Sequence, residues 1–155
     1  MGLGQSERLV LAAALGDLWT GGNAKGSRSH DQLHIHMSLV VDGVRDTLSK
    51  ATTVAKDWNL WPNQVTTVTG RTKLQPDKRS YRVVHIDRLD FNLFAALHKC
   101  MITIMGEKMA DQTLIVIGAG KSQSDGYYLL NSRKDLANPP DIPGIGFCDS
   151  ILICK

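Results

Sequence analysis

Leu33, Ile35, Met37 and Leu39 alternate with His34, His36 and Ser38, the two-residue period of a strand with one buried face. That period predicts a strand over residues 32–41. A helical period follows it. Val44, Leu48, Ala51, Ala55 and Trp58 recur at helical spacing, with Asp46, Ser49, Lys50, Thr53, Lys56 and Asp57 on the other side. This predicts an amphipathic helix over 43–59, ended before Trp61-Pro62 because the residue before proline avoids the α region. Residues 64–73 are rich in β-branched side chains, Leu74-Gln75-Pro76-Asp77-Lys78 turns the chain, and residues 80–88 return it. The pair reads as a β-hairpin. Leu93, Leu97, Cys100 and Ile104 then share one stripe of a helix over 90–106, with Asp90 as its N-cap.

The two ends are patterned differently. Over Ser6–Trp19, Leu11, Leu15 and Leu18 form one stripe and Ala12, Ala13 and Gly16 a second face of small residues. Ser6 suits an N-cap and Glu7 the positive end of a helix dipole, so a buried helix over 6–19 is predicted, apolar all round. Thr20 to Ser27 is a glycine-rich loop. Residues 112–118 are a short apolar run read as a central strand, followed by strands over 126–131 and 147–154. Asn138-Pro139-Pro140-Asp141-Ile142-Pro143-Gly144 is an extended loop between the last two. The expected fold is α+β, a mixed or antiparallel sheet with three helices in the order α(β)βαββα, then ββ and a terminal strand.

A chain of 155 residues fits one domain of about 150, so residues 1–155 are taken as a single unit. No stretch approaches the roughly 20 apolar residues a membrane helix needs, and the N-terminus lacks the basic lead and apolar region of a secretory signal. Gly2 and Ser6 match the N-myristoylation pattern, a match that arises often by chance. Cys100, Cys148 and Cys154 are odd in number and lack metal-ligand spacing, which suits reduced thiols in a cytoplasmic protein. The net charge of +3 permits an anionic partner. From Arg71 to Arg88 the basic residues Arg71, Lys73, Lys78, Arg79, Arg82 and Arg88 face only Asp77 and Asp87. This makes the hairpin a candidate nucleic-acid surface, and equally a solvated tip.

Gly118-Ala119-Gly120-Lys121-Ser122 resembles the end of a phosphate loop, but Ile115 stands where the motif needs its first glycine. A plain hairpin connection is expected there. His34 and His36 share a strand face as two metal ligands would, and His85 is the only candidate for a third. Surface or hydrogen-bonding histidines are the commoner case. Asp17, in the last turn of the N-terminal segment, meets the negative end of the predicted dipole, a conflict that Mg²⁺ relieves through oxygen ligands and that simple solvation also relieves.

Leu9-Val10-Leu11-Ala12-Ala13-Ala14-Leu15-Gly16-Asp17 resembles the signature helix of LAGLIDADG homing endonucleases, and the α-β-β-α-β-β-α order read for residues 6–106 matches that family's core. Leu18 departs from it where the family has glycine. The resemblance implies a homodimeric, Mg²⁺-dependent DNA endonuclease. Asp17 would be its metal ligand and catalytic residue, with Lys73 or Arg45 assisting at the phosphate. His34, His36, Ser38, Arg71, Lys73 and Arg82 would approach nucleic acid. The other reading is a non-catalytic interaction or assembly module that binds RNA, DNA or protein.

Overall fold

In chain order the computed structural model contains β1 (Val10–Ala14), β2 (His34–Ser38), α1 (Val44–Lys50), β3 (Val65–Arg71), β4 (Pro76–Ile86), α2 (Leu93–Leu97), a π-helix (His98–Ile104), β5 (Gln112–Gly118) and β6 (Tyr127–Arg133). It describes residues 10–14, 34–41, 43–71, 76–109, 112–120, 122–133, 136 and 151–152. The fold is α+β. Four antiparallel strands, β5-β6-β4-β3, form its centre, and β1 and β2 extend them to a six-stranded sheet of order β2-β1-β5-β6-β4-β3. The β3–β4 and β5–β6 hairpins form as the sequence predicts, except that β4 begins at Pro76, so Pro76, Asp77 and Lys78, read as turn, are paired strand residues. Gly118–Ser122 lies in the β5–β6 connection, as expected of a plain turn.

The N-terminal segment corrects the sequence reading. Val10–Ala14 is a strand, inserted between β2 and β5, with Ala12 opposite His36 on one side and Ile115 on the other. A short apolar run cannot be assigned by periodicity alone, because a strand inside a sheet has two covered faces and needs no alternation. Two helical segments, not three, are present among the described residues. The dimer seam drawn from Ala12, Ala13 and Gly16 therefore loses its helix, and Gly16 and Asp17 lie outside those residues.

The second helix is shorter than its stripe. α1 ends at Lys50, and Ala51 is extended (φ −74°, ψ 124°). The β-branched run Thr52-Thr53-Val54 disfavours helix, and a backbone demand favours leaving it. β3 pairs with β4 only as far as Arg82, so the outer edge of β4 beyond it needs partners. Ala55 supplies them: its N–H donates to the Val83 carbonyl and its carbonyl accepts from His85 N–H, both at 2.8 Å. The apolar stripe was real but serves two faces. Val44 and Leu48 pack on one side of the sheet with Tyr81, Val83, Ile115 and Leu130. Ala55 and Trp58 turn to the other, with Trp61, Val84, Leu97, Met101 and Leu129. Each fully buried large aliphatic here contributes about 1.5–3 kcal/mol.

The third helix starts at Asn92 rather than Asp90: Asn92 Oδ1 accepts from Phe94 N and Ala95 N, both at 3.0 Å. Widening to a π-helix from His98 shifts the buried stripe to Leu97, Cys100 and Met101 and leaves Ile104 56% exposed. Gly106, at φ 70°, ends the helix in the left-handed conformation that glycine permits. The chain then turns inward at Glu107. Of the terminal strand read over 147–154 only residues 151–152 are described. Leu152 forms an antiparallel bridge with Val40, and Val41 N–H donates to the Ile151 carbonyl at 2.9 Å.

Candidate functional site

β2 carries the histidine pair. His34, His36 and Ser38 occupy alternate positions of the edge strand, the two histidines about 6.6–6.8 Å apart along its backbone. The ladder His36–Ala12–Ile115–Leu130–Val83 aligns the backbone of His36 with Val83, and His85 follows two residues beyond Val83 in β4. Four strand intervals of about 4.8 Å put His85 roughly 19 Å from β2, too far for a shared metal ion. Among the described residues no group of three or more His, Cys, Asp or Glu is placed to hold one.

The basic hairpin does not form one charged surface. Arg82 is 3% exposed, because β4 here is covered on both faces. Its guanidinium donates to both Glu107 carboxylate oxygens, at 2.9 and 2.7 Å, to Asn131 Oδ1 at 3.3 Å and to Met101 Sδ at 3.1 Å. Arg133 Nε lies 3.1 Å from Glu107 Oε1, a charge contact whose angle does not make a hydrogen bond. Gln112 donates to Glu107 Oε2 at 3.0 Å, and Asn131 donates to Gln112 Oε1 at 2.9 Å. Burial alone would raise the Glu107 carboxyl, but the hydrogen bond and charge of Arg82, the charge of Arg133 and the Gln112 bond together hold it below the ordinary value. This is an interior ion cluster. Arg79 pairs with Asp77 at 2.9 Å and Arg88 with Asp90 at 3.4 Å. Arg71 is exposed at the end of β3, Arg45 is half-buried on α1, and Asp17 and Lys73 lie outside the described residues.

A cleft of about 870 Å³ opens beside the outer edge of β4 and is lined from both faces of the sheet, with Lys50, His85 and Tyr128 from one side and Trp58 from the other, joined by Lys56, Asp87, Arg88, Asp90 and Phe91. His85 Nε2 is 3.0 Å from the Asp125 carbonyl oxygen. The ring stands edge-on to Tyr128 at 5.2 Å and 65°. Burial pushes the Tyr128 phenol up, so it stays protonated. Trp58 and Phe91 meet edge to face at 5.1 Å and 88°. Sequence reasoning missed this cleft because its walls come from three separate segments. The available signals were the polar cluster Asp87-Arg88-Leu89-Asp90 directly after a strand, and Gly126 directly before one. Cys100 is a free, buried thiol, and burial pushes its pKa up, in line with an unreactive core residue.

Comparison with known proteins decides among the function classes. The model of the family "CDH: CDP-diacylglycerol pyrophosphatase" matches residues 17–142, most of the chain, while no curated protein and no solved structure matches it. The match overturns the LAGLIDADG resemblance and the nucleic-acid reading built on it. It equally disfavours the non-catalytic module, since the family is one of hydrolases of phospholipid metabolism. Arg82, offered as a nucleic-acid contact, is locked inside the protein. The matched segment includes β2 with its histidines and every wall of the cleft. The chain belongs to the CDP-diacylglycerol pyrophosphatase family.

Proposed function

We propose that this chain hydrolyses the pyrophosphate bond of a CDP-activated lipid, releasing CMP and the lipid phosphate, with His34 and His36 as the reactive pair. The observation that carries the reading is the family match over residues 17–142, which spans both histidines. The chemistry fits them. The leaving group is a phosphate monoester, whose second pKa of about 6 makes it a good leaving group near neutral pH. The demands are therefore a nucleophile in line with phosphorus and positive charge on the phosphoryl oxygens. Imidazole supplies either. Neutral, it attacks phosphorus or takes the proton of an attacking water; protonated, it donates to an oxygen. Two imidazoles on one strand face at about 6.6–6.8 Å flank a diphosphate without competing for one atom.

Asp17, read from the sequence as a Mg²⁺ ligand, falls within the matched segment but outside the described residues, and the described side chains offer no metal-binding group. Mg²⁺ enters this reading as an oxygen-bound counter-ion of the diphosphate. Loss of turnover on chelation and its return with Mg²⁺ is the result that supports this.

The central test is release of CMP from CDP-diacylglycerol in detergent micelles. His34→Asn and His36→Asn should each lower the rate by about 10²–10⁴-fold. Acid quenching tells the two routes apart, because attack by imidazole leaves an acid-labile nucleotide on the protein. Wild-type rates in both variants, or no CMP from the wild type, would end this reading.

A further inference from the structure

We propose that the cleft between α1 and residues 87–91 is a second ligand site, built for a nucleoside monophosphate, with His85 on the phosphate and Trp58 and Phe91 beside the base. It is not the β2 site. In the sheet order β2 lies four strands from β4, which carries His85. Only the choice of cytidine as the nucleoside rests on the hydrolase reading.

His85 is held as a binding group would be. A carbonyl oxygen only accepts, so the 3.0 Å contact with Asp125 O puts the hydrogen on Nε2. Nδ1 has no hydrogen-bond partner among the described residues and the ring lines the cleft, so Nδ1 is free to accept from the P–OH of a singly protonated phosphate monoester, whose second pKa is about 6. The loop presenting Asp125 is shaped around this contact. Gly126 has φ 76°, and a Cβ there would run into the Ile86 carbonyl oxygen and lie 3.0 Å from His85 Cε1 and Nε2. Asp125 Oδ2 accepts from Ser122 N at 2.6 Å, and a Cβ at Gly120 would collide with that carboxylate. Two glycines and a backbone-capped aspartate thus fix one carbonyl against one imidazole nitrogen.

The remaining walls select the ligand class. Lys50 and Lys56 are exposed lining cations in no ion pair among the described residues, whereas Arg88 is engaged with Asp90. They offer charge to a phosphate. Trp58 and Phe91, the latter 37% exposed, offer apolar walls on which a flat base stacks. Asp87 and Asp90 would repel a plain anion, but carboxylates accept from ribose hydroxyls. A nucleotide uses all three; inorganic phosphate or a fatty acyl anion leaves the carboxylates opposed. At about 870 Å³ the cleft lies within the roughly 300–1,000 Å³ of small-molecule sites.

The test is calorimetric titration with CMP, cytidine and inorganic phosphate, in the wild type and in a His34→Asn/His36→Asn background. CMP should bind in both and more tightly than either fragment. His85→Ala and Lys56→Glu should each weaken it at least about tenfold, the size expected for losing one charge-assisted contact. Lys56 is exposed, so its variant stays informative if His85→Ala misfolds. Trp58→Leu should weaken CMP and cytidine but leave inorganic phosphate unchanged. His85-dependent CMP binding in a protein that releases no CMP from the lipid would remove the catalytic reading and keep this one. Absent CMP binding, affinity unchanged in the Lys56 variant, or phosphate binding as tight as CMP would overturn the cleft.

Discussion

Glu107 is 7% exposed in its side chain and faces two arginines. Removing one partner of such a cluster leaves an uncompensated charge in the interior. Arg82→Met should therefore cost about 3–5 kcal/mol, and a variant replacing both Arg82 and Glu107 with apolar residues should cost less than the two single changes added together. Urea unfolding of the three variants measures this. Because the Glu107 pKa is depressed in the folded state, its contribution is complete above the ordinary carboxylate value of 4.5. It is lost as pH falls through the folded value. The wild type should accordingly lose stability on acidification below that range, and Glu107→Gln should show a shallower acid limb. Glycine gives a second contrast. Gly126 and Gly43 both have positive φ, but a Cβ at Gly126 meets the Ile86 carbonyl and His85, whereas nothing lies within 4 Å at Gly43. Both alanine variants bear the backbone strain of about 1–3 kcal/mol, and only Gly126→Ala adds a collision. Its melting temperature should fall further; equal shifts would show that the loop yields. Neither Glu107 nor Gly126 stood out in the sequence. A lone glutamate and a turn glycine become significant only through neighbours far along the chain.

At the scale of elements, agreement followed the strength of the local signal. β3, β5 and β6 lie close to where β-branched runs and turn residues put them, and β4 does so apart from its early start at Pro76, since such hairpins are made by contacts near in sequence. α1 was over-extended because the stripe Val44 to Trp58 reports burial, not helix, and the backbone of β4 claimed Ala55. β1 was misread because an apolar run without period suits a buried helix and a central strand equally. The order β2-β1-β5-β6-β4-β3 makes a prediction of its own. β5 and β6 are paired on both sides and almost wholly buried, so amide exchange should be slowest there, near the global unfolding limit, with α1 faster. Exchange mass spectrometry that found residues 44–50 better protected than 112–118 would contradict this sheet order.

For the molecule as a whole, stability and chemistry are set apart in the proposed reading. The two cores pack on either face of β4, β5 and β6, while the histidine pair lies on the edge strand. His36→Asn should thus abolish lipid hydrolysis while shifting unfolding free energy by only about 0.5 kcal/mol; a large loss of stability would make the activity result uninterpretable as chemistry. No helix among the described residues is long and apolar enough to cross a membrane. The sequence alone determined the α+β class, the two hairpins, a helix near residue 93 and the strand that carries His34 and His36, because these depend on periods and turns within a few residues. It also suggested a wrong partner, since a basic run counts charges without saying which are exposed. Only the tertiary structure decided that Arg82 is an interior ion, that Val10–Ala14 is a strand, and that His85, Trp58 and Phe91 meet in one cleft. Each depends on contacts about twenty or more residues apart along the chain, where side-chain period carries no information and the competition for buried backbone partners settles the outcome.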